Sequence, residues 1–144
     1  MAPVEDQPED VLDSSLVDLN TFNQILEMDE PDDHEFSTSI VFGFFDQAEE
    51  TFAAMDTALA EKNLEELSSL GHFLKGSSAT IGLTKVRDGC EHIQRYGKLE
   101  NIDGSSEPDE DLCLERLTKA IQTVKEDYKE VETVLRKYYE QFDS

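Results

Sequence analysis

The chain has 144 residues, enough for one domain with a single core. Its 34 acidic residues against 12 basic ones give a formal net charge of −22, a field that opposes nucleic acid and anionic membrane surfaces as partners. No apolar run approaches the roughly 18 residues of a membrane span and no basic segment opens the chain, so neither a span nor a secretory signal is expected.

Residues 1–18 hold Glu5, Asp6, Glu9, Asp10, Asp13 and Asp18 with no basic residue and two prolines, the composition of an acidic disordered tail. The remainder, 19–144, reads as one helical domain. Residues 19–28 form a short helix, and an acidic loop follows around Pro31, without the glycine and final-glutamate spacing of a calcium loop. A long helix then spans about Phe36 to Lys62 on the seam Val41, Phe45, Ala48, Phe52, Met55 and Leu59. Asn63 is placed to cap the next helix, whose stripe is Leu67, Leu70 and Leu74 and which Gly82 stops. Thr84 is placed to cap a helix running to about Glu100 on Leu83, Val86, Cys90, Ile93 and Gly97. Residues 101–108 are loop, and a final helix opens near Pro108. Its seam runs through Leu114, Leu117, Ile121, Val124, Tyr128, Val131, Leu135, Tyr138 and Phe142. Four amphipathic helices of comparable length predict an all-α fold, an antiparallel four-helix bundle with an additional short N-terminal helix. Cys90 and Cys113 lack a CxxC companion, which fits a reducing compartment and an intracellular protein.

One helix carries a local conflict. Gly76 sits in its interior, at a cost of about 1 kcal/mol relative to alanine. At 100° per residue, His72, Lys75 and Gly76 share a face turned away from the leucine stripe. No acidic residue lies within helical reach of His72, since positions 68 and 69 are serine and 79 is alanine. That isolation argues against a hydrolytic triad and against a metal site. What remains is a nucleophile prepared for an incoming anionic group, with Lys75 to balance charge and Gly76 to leave room. Phosphoryl fits that description, because its transfer needs positioning and charge balance above all. The surrounding charge agrees: between His72 and Lys98 five basic side chains stand against two acidic ones, a net of +3. Arg87, Glu91, Gln94 and Lys98 form a second polar stripe on the following helix, which reaches His72 only if the two helices pack side by side.

The stretch LGHFLKGSSATIGL resembles the signature of histidine-containing phosphotransfer (HPt) proteins. With FDQAEETFAAM and CEHIQRYGKLE it is similar to the fungal osmosensing phosphorelay intermediates. The resemblance implies that His72 accepts a phosphoryl group from the phospho-aspartate of a hybrid histidine kinase receiver domain and passes it to the receiver of a response regulator. Lys75 and Gly76 then support the phosphoryl group, Gln94 neighbours the imidazole, and Lys98 falls where a basic residue, often arginine, occurs. No cofactor of its own is implied, magnesium belonging to the partner receiver, and the location implied is cytoplasmic and nuclear.

The resemblance also accounts for surplus apolar positions. Thr21, Ile25 and Met28 lie about 100° from the Phe22 and Leu26 stripe, and Phe36 and Ile40 are offset from the Val41 seam. Together with Ser69 and Ala79 they are expected to dock the receiver partner, on a monomer whose site stays accessible. His34 and His92 read as solvated side chains and Cys90 as core. Two other classes stay open: a histidine kinase, against which the lack of a glycine-rich phosphate loop tells, and an acidic helical adaptor without covalent chemistry.

Overall fold

The computed structural model describes residues 16–31 and 33–140, and among them there are five helices and no strand. They are α1 (Leu19–Leu26), α2 (Glu35–Ala60), α3 (Leu64–Thr80), α4 (Thr84–Gly97) and α5 (Glu110–Glu140). Helices α2 to α5 form the antiparallel bundle, and α1 covers one end of it. Their lengths are unequal, with α3 and α4 about half as long as α2 and α5. Phe142 and residues 1–15 lie outside the described residues.

Side-chain caps set several of the boundaries. The Asp18 carboxylate accepts from the Asn20 N–H at 3.0 Å at the start of α1. The Asn63 side chain accepts from the Glu66 N–H at 3.1 Å at the start of α3, as its position predicts. At α2 the Asp29 carboxylate reaches in from the preceding loop, accepting from the Ser37 N–H at 2.8 Å and its hydroxyl at 2.6 Å. Thr84, the expected cap of α4, is instead its first helical residue; Leu83 occupies the cap position with no side-chain bond. The apolar Leu83 is fully buried there, so packing fixes this boundary.

The α3–α4 turn passes through Gly82 at φ 79°, a left-handed conformation that a β-carbon disfavours. Its carbonyl accepts from the Asp18 N–H at 2.6 Å, tying the start of α1 to the turn. This anchor corrects the sequence boundary of the tail: Leu16 and Val17, placed in the acidic segment, are buried in the core. The acidic composition around them hid two apolar anchors.

Each predicted seam points inward. Tyr128 of α5 lies edge-on to Phe45 and Phe52 of α2, with ring centroids at 6.2 and 5.3 Å, and its hydroxyl donates to the Phe45 carbonyl at 3.3 Å. Phe22 of α1 meets Tyr138 at 5.9 Å near the end of α5. Burial of each such ring stabilises the fold by about 1.5–3 kcal/mol. Both α1 stripes are used, because Ile25 packs into the same core as Phe22.

Candidate functional site

The α3–α4 contact is the most extensive between helices, and glycine makes it close. A Cβ on Gly71 would stand 2.9 Å from both the Cys90 carbonyl oxygen and the Gln94 nitrogen. A Cβ on Gly97 would stand 2.7 Å from the Leu64 carbonyl oxygen. The two backbones therefore touch where a side chain would hold them apart. The Ser68 hydroxyl adds a bond across the seam, donating to the Gln94 carbonyl at 3.0 Å. This meets the condition under which the polar stripe of α4 reaches the His72 helix.

His72 stands on the opposite, outer side of α3. It is exposed, as are Ser69, Phe73, Gly76 and Ala79. It has no hydrogen bond or ion pair among the described residues. Gly76 has open space in its Cβ direction, with nothing within 4 Å. Packing thus gives no reason for this glycine, in contrast to Gly71 five residues earlier. An unengaged imidazole beside a cleared helix surface is free to take a bulky group from outside.

The cations around it are arranged unequally. Lys75 donates from Nζ to Glu91 Oε1 of α4 at 3.2 Å, so it is engaged and only about a quarter exposed. Glu91 is sixteen positions away and meets Lys75 only because the glycine contact brings α4 against α3. That bond, with the charges of Lys75 and Arg95, holds the Glu91 carboxyl below its ordinary range. Lys98 ends α4, exposed, and lines an open groove of about 670 Å³ with Ser68 and Ser69. It therefore lies toward the α3 turn before His72, and Lys75 lies on the turn after it. Gln94 is half-buried at the seam between them.

The expected docking positions divide. Met28 is 67 % exposed and Phe36 41 %, and the two line one surface hollow with Ser39. Ile40 and Thr21 are half-buried, Thr21 donating its hydroxyl to Asp18 at 3.1 Å. Ile25 is a correction: only 9 % of it is exposed, because an eight-residue helix lying across the bundle end buries two of its sides. Phe73, 48 % exposed beside His72, was missed. Its position outside the Leu67, Leu70 and Leu74 stripe was the available signal. His34 and His92 are also less solvated than expected. His34 Nδ1 lies 3.5 Å from the Asp29 carboxylate, and His92 packs against the Tyr96 ring at 6.3 Å. Arg87 pairs with Asp88, away from the site. No group of three or more metal-binding side chains occurs among the described residues.

A bundle that presents a lone, unbonded histidine on an outer helix face, with a lysine and an empty glycine beside it, defines a histidine-containing phosphotransfer domain. The family profile described as "Hpt domain" matches residues 40–133, and the chain belongs to that family. It is similar to "Multistep phosphorelay regulator 1" of Schizosaccharomyces pombe, 48 % identical over 135 residues that cover 93 % of this chain and 46 % of that protein. It is also similar to "Phosphorelay intermediate protein YPD1" of Candida albicans, 54 % identical over 99 residues, or 69 % of this chain and 53 % of that one. The chain spans about half the length of these curated relatives. Among solved structures, the Saccharomyces cerevisiae histidine phosphotransfer protein Ypd1, crystallised with the receiver domain of its downstream response regulator Ssk1, superimposes with a TM-score of 0.79. Identity there is 33 %, over 90 % of this chain and 97 % of that one.

Proposed function

We propose that the chain is a phosphorelay intermediate in which His72 takes a phosphoryl group from the phospho-aspartate of a hybrid histidine kinase receiver and gives it to the aspartate of a response-regulator receiver. The observation that carries this reading is the pairing of an exposed, unbonded His72 with a Gly76 that packing does not require. The likeness to Ypd1, solved with a response-regulator receiver, supports the class of partner.

A ring nitrogen of neutral His72 attacks the phosphorus of the acyl phosphate. The N–P bond forms as the P–O bond to the aspartate breaks, and the carboxylate leaves with the electron pair. Lys75 and Lys98 bring positive charge to the group from the two flanking turns, Gln94 stands at the seam beside the ring, and Gly76 leaves space for the incoming receiver. The second transfer runs in the reverse sense, so direction follows from which aspartate is being drained. Magnesium acts at the receiver's acidic pocket and not on this chain.

Met28, Phe36, Ile40, Phe73, Ser69 and Ala79, with Thr21 at the margin, form the receiver surface in this reading. Apolar docking suits two acidic partners that repel at long range. The carrier works as a monomer with this face uncovered, in the cytoplasm and nucleus. No helix among the described residues is long and apolar enough to cross a membrane.

The test is incubation with a receiver domain carrying labelled phospho-aspartate. Acid-labile, base-stable label should appear on the wild-type chain and be absent from His72→Gln of equal stability. Label that persists in His72→Gln, or self-labelling from ATP, would overturn the assignment.

A further inference from the structure

Glu91 stands between two donors and bonds to one. Its Oε1 accepts from Lys75 of α3, whereas its Oε2 lies 3.9 Å from Arg95 Nε, one turn along α4. Arg95 Nε is buried and has no hydrogen-bond partner. Such an orphaned donor is costly, and it gains an acceptor if Glu91 turns toward it. The guanidinium itself is held in place: Arg95 Nη1 pairs with Glu100 Oε1 at 3.4 Å and lies against the loop at Gly104, where a Cβ would stand 3.2 Å from it. Glu91 is the looser member, with 44 % of its side chain exposed.

We propose that Glu91 is a handover carboxylate: it keeps Lys75 at the edge of the site while His72 is unmodified, and passes to Arg95 when a phosphoryl group on His72 draws Lys75 away. The exchange is one of ion pairs, and no covalent bond changes. A phosphoryl group carries more negative charge than one carboxylate, so it competes well for the ammonium of Lys75. A Glu91 left alone would then face the phosphoryl group as a like charge. Arg95 removes that repulsion and gains the acceptor its Nε–H lacks. Glu91 and Arg95 act through Lys75 and are positioning residues. The inference rests on the reading of His72 as a phosphoryl acceptor.

The experiment uses the full chain, phosphorylated with phosphoramidate, from which the phosphoryl group moves to the imidazole as ammonia leaves. The 31P spectrum reports phospho-His72, and the 15N–1H signal of Arg95 Nε reports the handover without any substitution. That signal should move downfield as phospho-His72 forms, and Glu91→Gln should abolish the movement. Arg95→Gln should shorten the phospho-His72 lifetime by about two- to fivefold, the range an exposed ion pair carries. In the Glu91→Gln background the same change should have no effect, because no carboxylate remains to be handed over. A phospho-His72 signal with an unmoved Arg95 Nε–H, or additive effects of the two substitutions, would overturn the handover alone. If neither phosphoramidate nor a phosphorylated receiver labels His72, the phosphorelay reading fails and the handover with it.

Discussion

Gly71 and Cys90 meet through their backbones, with space for no more than a hydrogen on Gly71: a Cβ there would lie 2.9 Å from the Cys90 carbonyl oxygen. Backbone atoms on a packed helix yield less readily than the end of a side chain. Gly71→Ala should therefore push α3 from α4 and cost about 1–3 kcal/mol. Gly76→Ala, five residues along the same helix, meets nothing within 4 Å and should stabilise by about 1 kcal/mol through helix propensity. Urea unfolding of the two variants checks this. Equal effects would show that the seam is not set by glycine.

A larger side chain at Gly76 separates stability from function. Gly76→Gln has open space in the unbound protein, so it should fold at least as stably as wild type. It also projects over the approach to His72, and misplacing the reacting groups by about 1 Å lowers a rate by about a hundredfold. Rapid-mix transfer from a labelled receiver should be slowed by that order. Transfer at the wild-type rate would mean the cleared surface is not used.

Local patterns made much of this fold readable. The seams of α2 and α5 repeat apolar residues at helical spacing, and Asn63 and Gly82 punctuate α3 at each end. His72 and Gly76 were legible for a related reason, since a glycine in a helix interior conflicts with propensity and has to be explained. Long-range relations were not legible. Glu91 meets Lys75 only because Gly71 and Gly97 let two backbones touch, and periodicity carries no record of interaxial distance. Leu16 and Val17 were hidden because two apolar residues in an acidic stretch make no repeat, yet the Asp18 to Gly82 bond brings them inside. Ile25 failed in the opposite way. Its angle on the helical wheel was right, but a helix as short as α1 can bury more than one stripe.

The Lys75–Glu91 pair gives stability a defined pH dependence. The hydrogen bond from Lys75 holds the folded Glu91 carboxyl below its unfolded value, so the folded state binds the proton less readily. The contribution is thus fully present above the ordinary glutamate pKa of about 4.3 and is lost as pH falls through the lowered folded value. Wild type and Glu91→Gln should differ in unfolding free energy at neutral pH and converge on acidification below about pH 4. A difference that is constant down to pH 2 would rule out the charge pair as its origin.

Both thiols should be silent in the folded protein. Burial pushes the Cys90 thiol up to about 12, and burial, then the charge of Glu107, raises Cys113. Reaction needs the thiolate and a path to it, and at pH 8 neither residue offers either. A disulfide reagent should therefore label none of the native thiols and two in urea, with native-state labelling no faster than unfolding. Rapid labelling in native buffer would show local opening, of the packing around α4 if Cys90 reacts and of the start of α5 if Cys113 does.

Exposure separates the proposed receiver surface from the core that supports it. Met28, in the turn after α1, and Phe36, at the start of α2, line the same hollow yet carry much of their area to solvent, whereas Phe22 of α1 is fully covered against Tyr138. Met28→Ala and Phe36→Ala should change stability by no more than about 0.5 kcal/mol, as surface substitutions do. Each should weaken receiver binding by about tenfold if it anchors the contact, since interface anchors cost more than about 1 kcal/mol on truncation. Phe22→Ala should instead cost about 3–5 kcal/mol of stability by emptying its site beneath α1. Titration calorimetry against a receiver domain, beside urea unfolding of the same three variants, tells these roles apart. Binding unchanged by both Met28→Ala and Phe36→Ala would move the docking surface off the α1–α2 turn and the start of α2, leaving Phe73 and the outer face of α3 as the ground a receiver meets.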